Sequence, residues 1–263
     1  MENNDLPFPL PAATVQLRTL LGNAQLAASR LLPSSARETD PELDRQAAML
    51  DRSFFRLLRL ANNLSLADRV SGPLPCADVD IVDLVGEVCD RAASLTRLLG
   101  LRLRFLCAPE SRLCALAPEA TEQLLYHLLS NAMKASTSGG TVTVELRFSA
   151  GRVLLSVADT GCGIPEEQLS ALFDCGLQIP LLPPHGTGLG LALCQRIAKR
   201  QDGILMAESR RGEGSRFIFS LPDRRCGKYG APLPFDLAGG FNPTLVALAD
   251  ALPPEAFLLR SQG

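Results

Sequence analysis

The spacing of apolar positions changes period several times along this chain, and each change marks an element. Leu17, Leu20, Leu21, Ala24, Ala28 and Leu31 recur at steps of three and four. That spacing lines one face of a helix and predicts one over roughly 14–32. Pro33 and Pro41 bracket a loop. Leu43, Ala47, Leu50, Phe54, Leu57, Ala61 and Leu64 then alternate steps of four and three. This heptad seam predicts a second helix over roughly 42–68 that packs against other helices. Phe55, Leu58 and Leu60 widen the stripe. Two helices joined by a short loop cannot bury that much surface alone. The pattern therefore predicts a homodimer through residues 14–68, two hairpins forming a four-helix bundle. Packing of the hairpin onto the rest of its own chain is the alternative.

Ser71-Gly72-Pro73-Leu74-Pro75 reads as a linker, and the pattern beyond it is different. Asp80 to Leu99 is helical, with an acidic start and Gly100 at its end. Leu101 to Leu106 alternates apolar and basic residues, the mark of a strand with one wet face, and Arg112 to Ala115 reads as a second, short strand. Pro118 opens a helix through about Ser136, with Leu124, Leu125, Leu128, Leu129 and Ala132 on its apolar side. Thr141–Leu146 and Val153–Ala158 are strands joined by a turn at Ser149-Ala150-Gly151. A short helix follows Pro165 as far as Phe173, and residues 174–186 are irregular. A helix then runs to about Gln201, and Ile204–Ser209 and Arg216–Leu221 are the last strands. In the tail, Pro243 can start a helix through Asp250, and Ala256-Phe257-Leu258-Leu259 is apolar. This tail is expected to dock on the rest of the chain, or to bind a partner. The organisation predicted is an arm at 1–13, a helical hairpin at 14–70, a linker at 71–79, an α/β region at 80–222 and an extension at 223–263, an α+β protein.

Composition narrows the class. Net charge is −2 and the pI is near 5.8, so no global basic field recruits nucleic acid. No apolar run approaches the ~20 residues of a membrane span. Met1-Glu2-Asn3-Asn4-Asp5 is polar and acidic, unlike a signal peptide. The expectation is a soluble cytoplasmic protein. Eight cysteines are scattered without a C-x-x-C pair, and there are 2 histidines, which argues against a zinc site. Most of these cysteines sit in apolar surroundings and read as small buried hydrophobes. Cys162 and Cys175, beside glycine-rich loops, are either exposed redox-active thiols or tolerated small residues.

Three stretches carry chemistry. In Asp159-Thr160-Gly161-Cys162-Gly163-Ile164-Pro165 an acidic residue ends a buried strand, and alternate glycines keep the following turn bare for a close approach. In Gly186-Thr187-Gly188-Leu189-Gly190 alternate glycines precede a helix. Backbone N–H groups at a helix start, with the dipole behind them, suit an anion such as phosphate, and Thr187 adds a hydroxyl donor. A dinucleotide fold is excluded, because that loop follows a hydrophobic strand and this one follows a proline-rich loop. In Ser130-Asn131-Ala132-Met133-Lys134 an asparagine interrupts an apolar helical face. Its carboxamide oxygen is either a hard ligand for phosphate-bound Mg²⁺ or a buried cap for a neighbouring strand. Lys134, near the same face, can reach a phosphate as a point charge.

In order and spacing the three stretches resemble the ATP-binding domain of sensor histidine kinases, whose superfamily includes type II topoisomerases, large heat-shock ATPases and mismatch-repair ATPases. The resemblance covers about residues 78–222. Asn131 and Lys134 match the asparagine box, and Asp159, Gly161 and Gly163, with Ile164 beside them, match the first glycine box. Phe173 matches the phenylalanine before the lid. Gly186, Thr187, Gly188, Leu189 and Gly190 match the second glycine box, and Gly212 to Phe217, with Ser215, looks like the closing turn. The resemblance implies a two-layer α/β sandwich of the histidine kinase and gyrase type. It also implies that Asp159 accepts a hydrogen bond from the adenine amino group, that Asn131 holds Mg²⁺ and that residues 174–186 are a lid. His127 stands where the family usually has a second asparagine, and either orients a water or phosphate oxygen or is a packed helix residue. The lid is short and proline-rich, and His185 within it reads as exposed.

Leu17-Arg18-Thr19 resembles part of the phosphoacceptor motif on the first helix of the dimerisation domain. The phosphoacceptor histidine would fall at Val15, the acidic residue at Gln16 and the proline at Leu20. His127 and His185 are the only histidines of the sequence, and neither lies in the hairpin. The reading is an Mg-ATP-binding, histidine-kinase-like protein of two-component type without its own phosphoacceptor, leaning to a phosphotransferase that acts on a partner in trans. A nucleotide-gated scaffold that pairs with a kinase or response regulator is the second reading. A serine kinase that antagonises a sigma factor is the third, and the long hairpin counts against it.

Overall fold

The computed structural model describes residues 10–169, 172, 188–229 and 241–258. The hairpin comprises α1 (Leu10–Leu31), a short α2 (Ser34–Thr39) and α3 (Pro41–Arg69). The loop expected between Pro33 and Pro41 is therefore mostly helical. Asp40 starts α3, its carboxylate accepting from the backbone N–H groups of Glu42 (2.9 Å) and Leu43 (3.1 Å), while Pro41 gives up no needed donor.

The stretch read as linker contributes a strand, β1 (Ala77–Asp80), which pairs antiparallel with β3 (Leu113–Leu116). Asp80 ends β1 and caps α4 (Ile81–Leu98) through the N–H of Val82 at 2.9 Å. The main sheet adds β2 (Arg102–Cys107), β4 (Thr141–Ser149), β5 (Arg152–Asp159), β6 (Ile204–Arg210) and β7 (Gly214–Pro222), in the order β2-β4-β5-β7-β6. Only β2–β4 is parallel. Val142, Val144 and Leu146 of β4, Val153, Leu155 and Val157 of β5, and Phe217, Phe219 and Leu221 of β7 are all buried. That alternation turns one face of the sheet to the core, where α4, α5 (Pro118–Ala135) and α7 (Leu189–Arg200) pack. A single turn, α6 (Glu166–Leu169), follows Pro165. The α+β architecture with a helix-covered mixed sheet is the one predicted.

The heptad seam splits between two surroundings. Ala47, Phe54 and Ala61 are buried within the chain, whereas Leu50 and Leu57 are 45% and 50% exposed. The inner side of α3 is covered by the tail, residues 241–258. Asn242 caps α8 (Pro243–Leu248) through the N–H groups of Thr244 (3.0 Å) and Leu245 (3.2 Å). Phe241 stacks edge-on against Phe54 and Phe55, and Phe257, from a 3-10 turn at Pro254–Phe257, lies 5.4 Å from Phe55 between ring centroids. Tyr126 of α5 meets Thr244 hydroxyl to hydroxyl at 2.9 Å, so the tail bridges hairpin and sheet-covering helices. Leu248, Leu252 and Phe257 are completely buried, and such side chains contribute about 1.5–3 kcal/mol each. Arg37 of α2 locks the end of the tail by donating to the Phe257 carbonyl at 3.1 Å while paired with Asp44 (2.8 Å) and Asp51 (3.0 Å).

Candidate nucleotide-binding site

Three chain segments converge at the end of β5. Asp159 is 7% exposed, and its Oδ1 accepts from the backbone N–H of Gly161 (2.8 Å) and of Ser215 (3.3 Å). Both bonds fall on one oxygen, which sets the carboxylate plane and leaves Oδ2 outside that pair. Burial pushes the Asp159 carboxyl above the usual carboxylate range, and the two N–H donors pull it back.

The glycines here serve the protein's own backbone. A Cβ on Gly161 would lie 2.2 Å from the Ala135 carbonyl oxygen, at the end of α5. On Gly163 (φ +64°) it would lie 2.0 Å from the Arg210 oxygen, and on Gly214 (φ +92°) 2.0 Å from that of Asp159 itself. The same approach lets Cys162 donate to Ala135 at 3.2 Å and Gly212 to Cys162 at 2.7 Å. The first glycine box thus welds β5 to α5 and to the β6–β7 turn, instead of leaving bare space for a ligand. Ile164 N–H is held by Ser209 Oγ at 2.8 Å, which in turn meets Ser215 Oγ at 2.9 Å.

Gly188 behaves differently. It adopts a left-handed conformation (φ +70°) at the N-cap of α7, and among the described residues a Cβ there would meet nothing within 4 Å. The first backbone N–H groups of α7, at Leu189 and Gly190, have no carbonyl partner within the helix. Gly190 is the contact point with α5, since a Cβ there would lie 3.2 Å from His127 Nδ1. Asn131, half-buried, is one turn further along α5, followed by Lys134. Phe173, His185, Gly186 and Thr187, with the whole expected lid, lie outside the described residues.

The hairpin also reaches this site, which sequence reasoning missed. Arg59 of α3 is 5% exposed. It donates to Ser130 Oγ at 3.0 Å and faces His127 Nδ1 at 3.4 Å. Asp250, from the tail, lies 3.5 Å from Arg59, 3.4 Å from Arg56 and 3.9 Å from Lys134. An arginine between Leu58 and Leu60 on an apolar stripe was the available signal, and nothing local pointed to Asp250. Burial, then the charges of Arg59 and Lys134, push His127 down to about 3. Burial and Arg59 bring Lys134 down to about 8.

Comparison with known proteins places this geometry. The family described as "Histidine kinase-, DNA gyrase B-, and HSP90-like ATPase" matches residues 117–225. The chain carries a histidine-kinase-like ATPase domain. The alginate biosynthesis sensor protein KinB of Pseudomonas aeruginosa is 30% identical over 218 residues, covering 80% of this chain and 36% of KinB. The adaptive-response sensory kinase SasA of Nostoc sp. is 28% identical over 230 residues, covering 83% of this chain and 55% of SasA. The chain thus spans between about a third and just over half of these relatives. Among solved structures, the catalytic domain of histidine kinase ThkA superposes with a TM-score of 0.52 at 25% identity, over 57% of this chain and 97% of that one. Full-length ShkA in complex with AMPPNP gives 0.60 at 25% identity, over 81% and 46%. The domain is thus similar to the ATPase domains of proteins named as sensor kinases. Among the described residues no helix is long and apolar enough to cross a membrane.

The state of His127 has a measurable consequence. Its ordinary value is 6.5 and its folded value about 3, so it stays neutral in the native ATPase domain. Below 6.5 the unfolded chain takes up a proton that the folded chain refuses, and stability falls as pH falls. Between pH 7 and pH 5 wild type should lose about 2 kcal/mol that a His127→Gln variant keeps, from about 1.4 kcal/mol per pH unit. Urea midpoints at the two pH values check this, and identical acid sensitivity of the two proteins refutes it.

Proposed function

We propose that this chain binds Mg-ATP between the end of β5, the asparagine-bearing face of α5 and the start of α7. It uses the nucleotide as a two-component-type phosphotransferase whose acceptor lies on another molecule. The observation that carries nucleotide binding is the bracing of Asp159. A buried carboxylate locked by the N–H groups of Gly161 and Ser215 is oriented in advance to accept a hydrogen bond, which is what reading an adenine amino group requires. The start of α7 at Gly188, whose first N–H groups have no partner within the helix, supports a phosphate site.

The residues present fit a magnesium-bound triphosphate. Asn131 offers a carboxamide oxygen, Lys134 a cation, and Leu189 and Gly190 backbone donors. Mg²⁺ would neutralise phosphate charge, and the protein's share of phosphoryl transfer is positioning and further neutralisation. His127, neutral and buried against Gly190, holds α5 against α7 and so sets the spacing between Asn131 and the phosphate-binding start of α7.

An acceptor in trans is favoured by Val15. The position that the resemblance assigns to the phosphoacceptor is a valine, 59% exposed on α1, which has no nucleophile to offer. The row of exposed apolar side chains on the hairpin, among them Leu20, Leu26, Met49, Leu50 and Leu57, favours a homodimer through residues 14–68 and a kinase or response regulator as its partner. A nucleotide-gated scaffold is the second reading. It is favoured by the engagement of Lys134 with an internal carboxylate, which leaves less of that cation for transfer chemistry.

Three measurements test these readings. Asp159→Asn should weaken Mg-ATP binding by about tenfold or more in titration calorimetry, because one hydrogen bond to a charged acceptor is lost from a buried site; unaltered affinity removes the site. Incubation with γ-labelled ATP should leave no acid-labile phosphate on the protein itself, and its appearance would return the acceptor to this chain. Leu57→Glu should shift the protein to monomers in sedimentation analysis, whereas an undisturbed dimer excludes this face.

A further inference from the structure

The tail contributes one charged group to the nucleotide site, and its surroundings are unusual. Three cations converge on the single carboxylate of Asp250. Arg56 and Arg59 come from α3 and Lys134 from α5, at 3.4, 3.5 and 3.9 Å. The side chains of Arg59, Lys134 and Asp250 are 6%, 16% and 14% exposed, so solvent screens these three poorly, whereas Arg56 is 43% exposed. One carboxylate faces two buried cations, so a positive excess remains even with Arg56 solvated. Arg59 Nε, Asn62 Oδ1 and His127 Nε2 are buried here without a hydrogen-bond partner among the described residues. They line a small cavity of about 20 Å³ between α3, α5 and α8. Arg59 is thus shared between the charge cluster and a cavity whose polar lining is incompletely hydrogen-bonded among the described residues.

We propose that Asp250 is an affinity-setting residue of the nucleotide site, an internal anion that the terminal phosphate of a nucleoside triphosphate must outcompete for Lys134 and Arg59. This rests on the reading of Lys134 as a phosphate contact. The apolar anchors Leu248, Leu252 and Phe257, all completely buried, hold the tail whether or not the carboxylate is engaged. Exchange is local: the carboxylate gives way to phosphate while α8 stays docked. The contact distances agree, since all three are ion-pair separations at the long end, with none of the short charge-assisted hydrogen bonds seen at Arg37. Because Asp250 opposes the phosphate and leaves the base untouched, the effect depends on the length of the phosphate chain. It is strongest for a triphosphate and absent for adenosine.

The test compares wild type with Asp250→Asn in the full chain, titrated with Mg-ATP and with adenosine. The variant should bind Mg-ATP about fivefold or more tightly, with adenosine affinity unchanged. Equal Mg-ATP affinity, or weaker binding by the variant, overturns the proposal. Asp159→Asn and Lys134→Ala separate the two levels of inference. If both weaken Mg-ATP binding while Asp250→Asn does nothing, only the role of Asp250 falls. If neither weakens it, the site itself falls as well. Hydrogen exchange on wild type supplies a readout independent of the variant's folding. Mg-ATP should speed exchange at residues 249–252 and leave 244–248 protected, and an unchanged pattern at 249–252 counts against the exchange of anions.

Discussion

Arg59 is a permanently charged guanidinium held at 5% exposure between two helices. Keeping it there constrains everything around it. An unpaired buried charge costs several kcal/mol, and burial lowers the pKa of the guanidinium while it stays charged. The chain answers with Ser130 as an acceptor on α5 and Asp250 as a counter-charge on the tail. Once Asp250 is needed at that point, the tail must cross from α3 to α5. Its apolar residues then cover the Phe54, Phe55 and Leu58 face that a bare hairpin would leave wet. The hairpin, the tail and the helix that carries Asn131 and Lys134 are in this way one packed unit.

That unit meets the candidate site along α5. The inner side of the helix, Leu124, Leu125, Leu128 and Leu129, is fully buried in the core of the sandwich. Its other side holds His127 and Ser130 against Arg59, and Tyr126 against Thr244. Its C-terminal end is pinned at Ala135 by Gly161 and Cys162. With all three regions restrained, Asn131 and Lys134 have little freedom to move relative to Asp159. A ligand bound between groups held in this way would cost little ordering entropy.

The exposed side of the hairpin is a separate matter. Leu50 and Leu57 point away from the tail-covered face and join exposed apolar side chains of α1. A monomer gains nothing from keeping them wet, and an assembly that covers them gains about 25 cal/mol for each Å² of apolar area removed from water. The Arg59 cluster and the exposed Leu50 and Leu57 side chains therefore lie on different sides of α3, with Arg56, Leu57 and Arg59 within four positions of one helix.

The division between what was legible in the chain and what was not follows the range of the interactions. Periodicity, caps and glycine spacing are local, and they were sufficient for α1, α3, α5 and the strands β4, β5 and β7. Local signals also explain the omissions. The four residues of β1 have no periodicity of their own and exist because Leu113–Leu116 offers them a partner. The heptad seam could not say which of its positions face the same chain, because Phe54 and Leu57 are equally apolar in sequence and differ only in what the tail covers. The purpose of Gly161 and Gly163 was visible only in three dimensions, where the close neighbour proved to be a carbonyl of α5 and another of β6. Asp250 was the least legible of all. A charged residue in a C-terminal tail resembles any solvated group until the fold sets it among Arg56, Arg59 and Lys134, because Coulomb energy depends on distance and burial, and neither can be read from the order of residues.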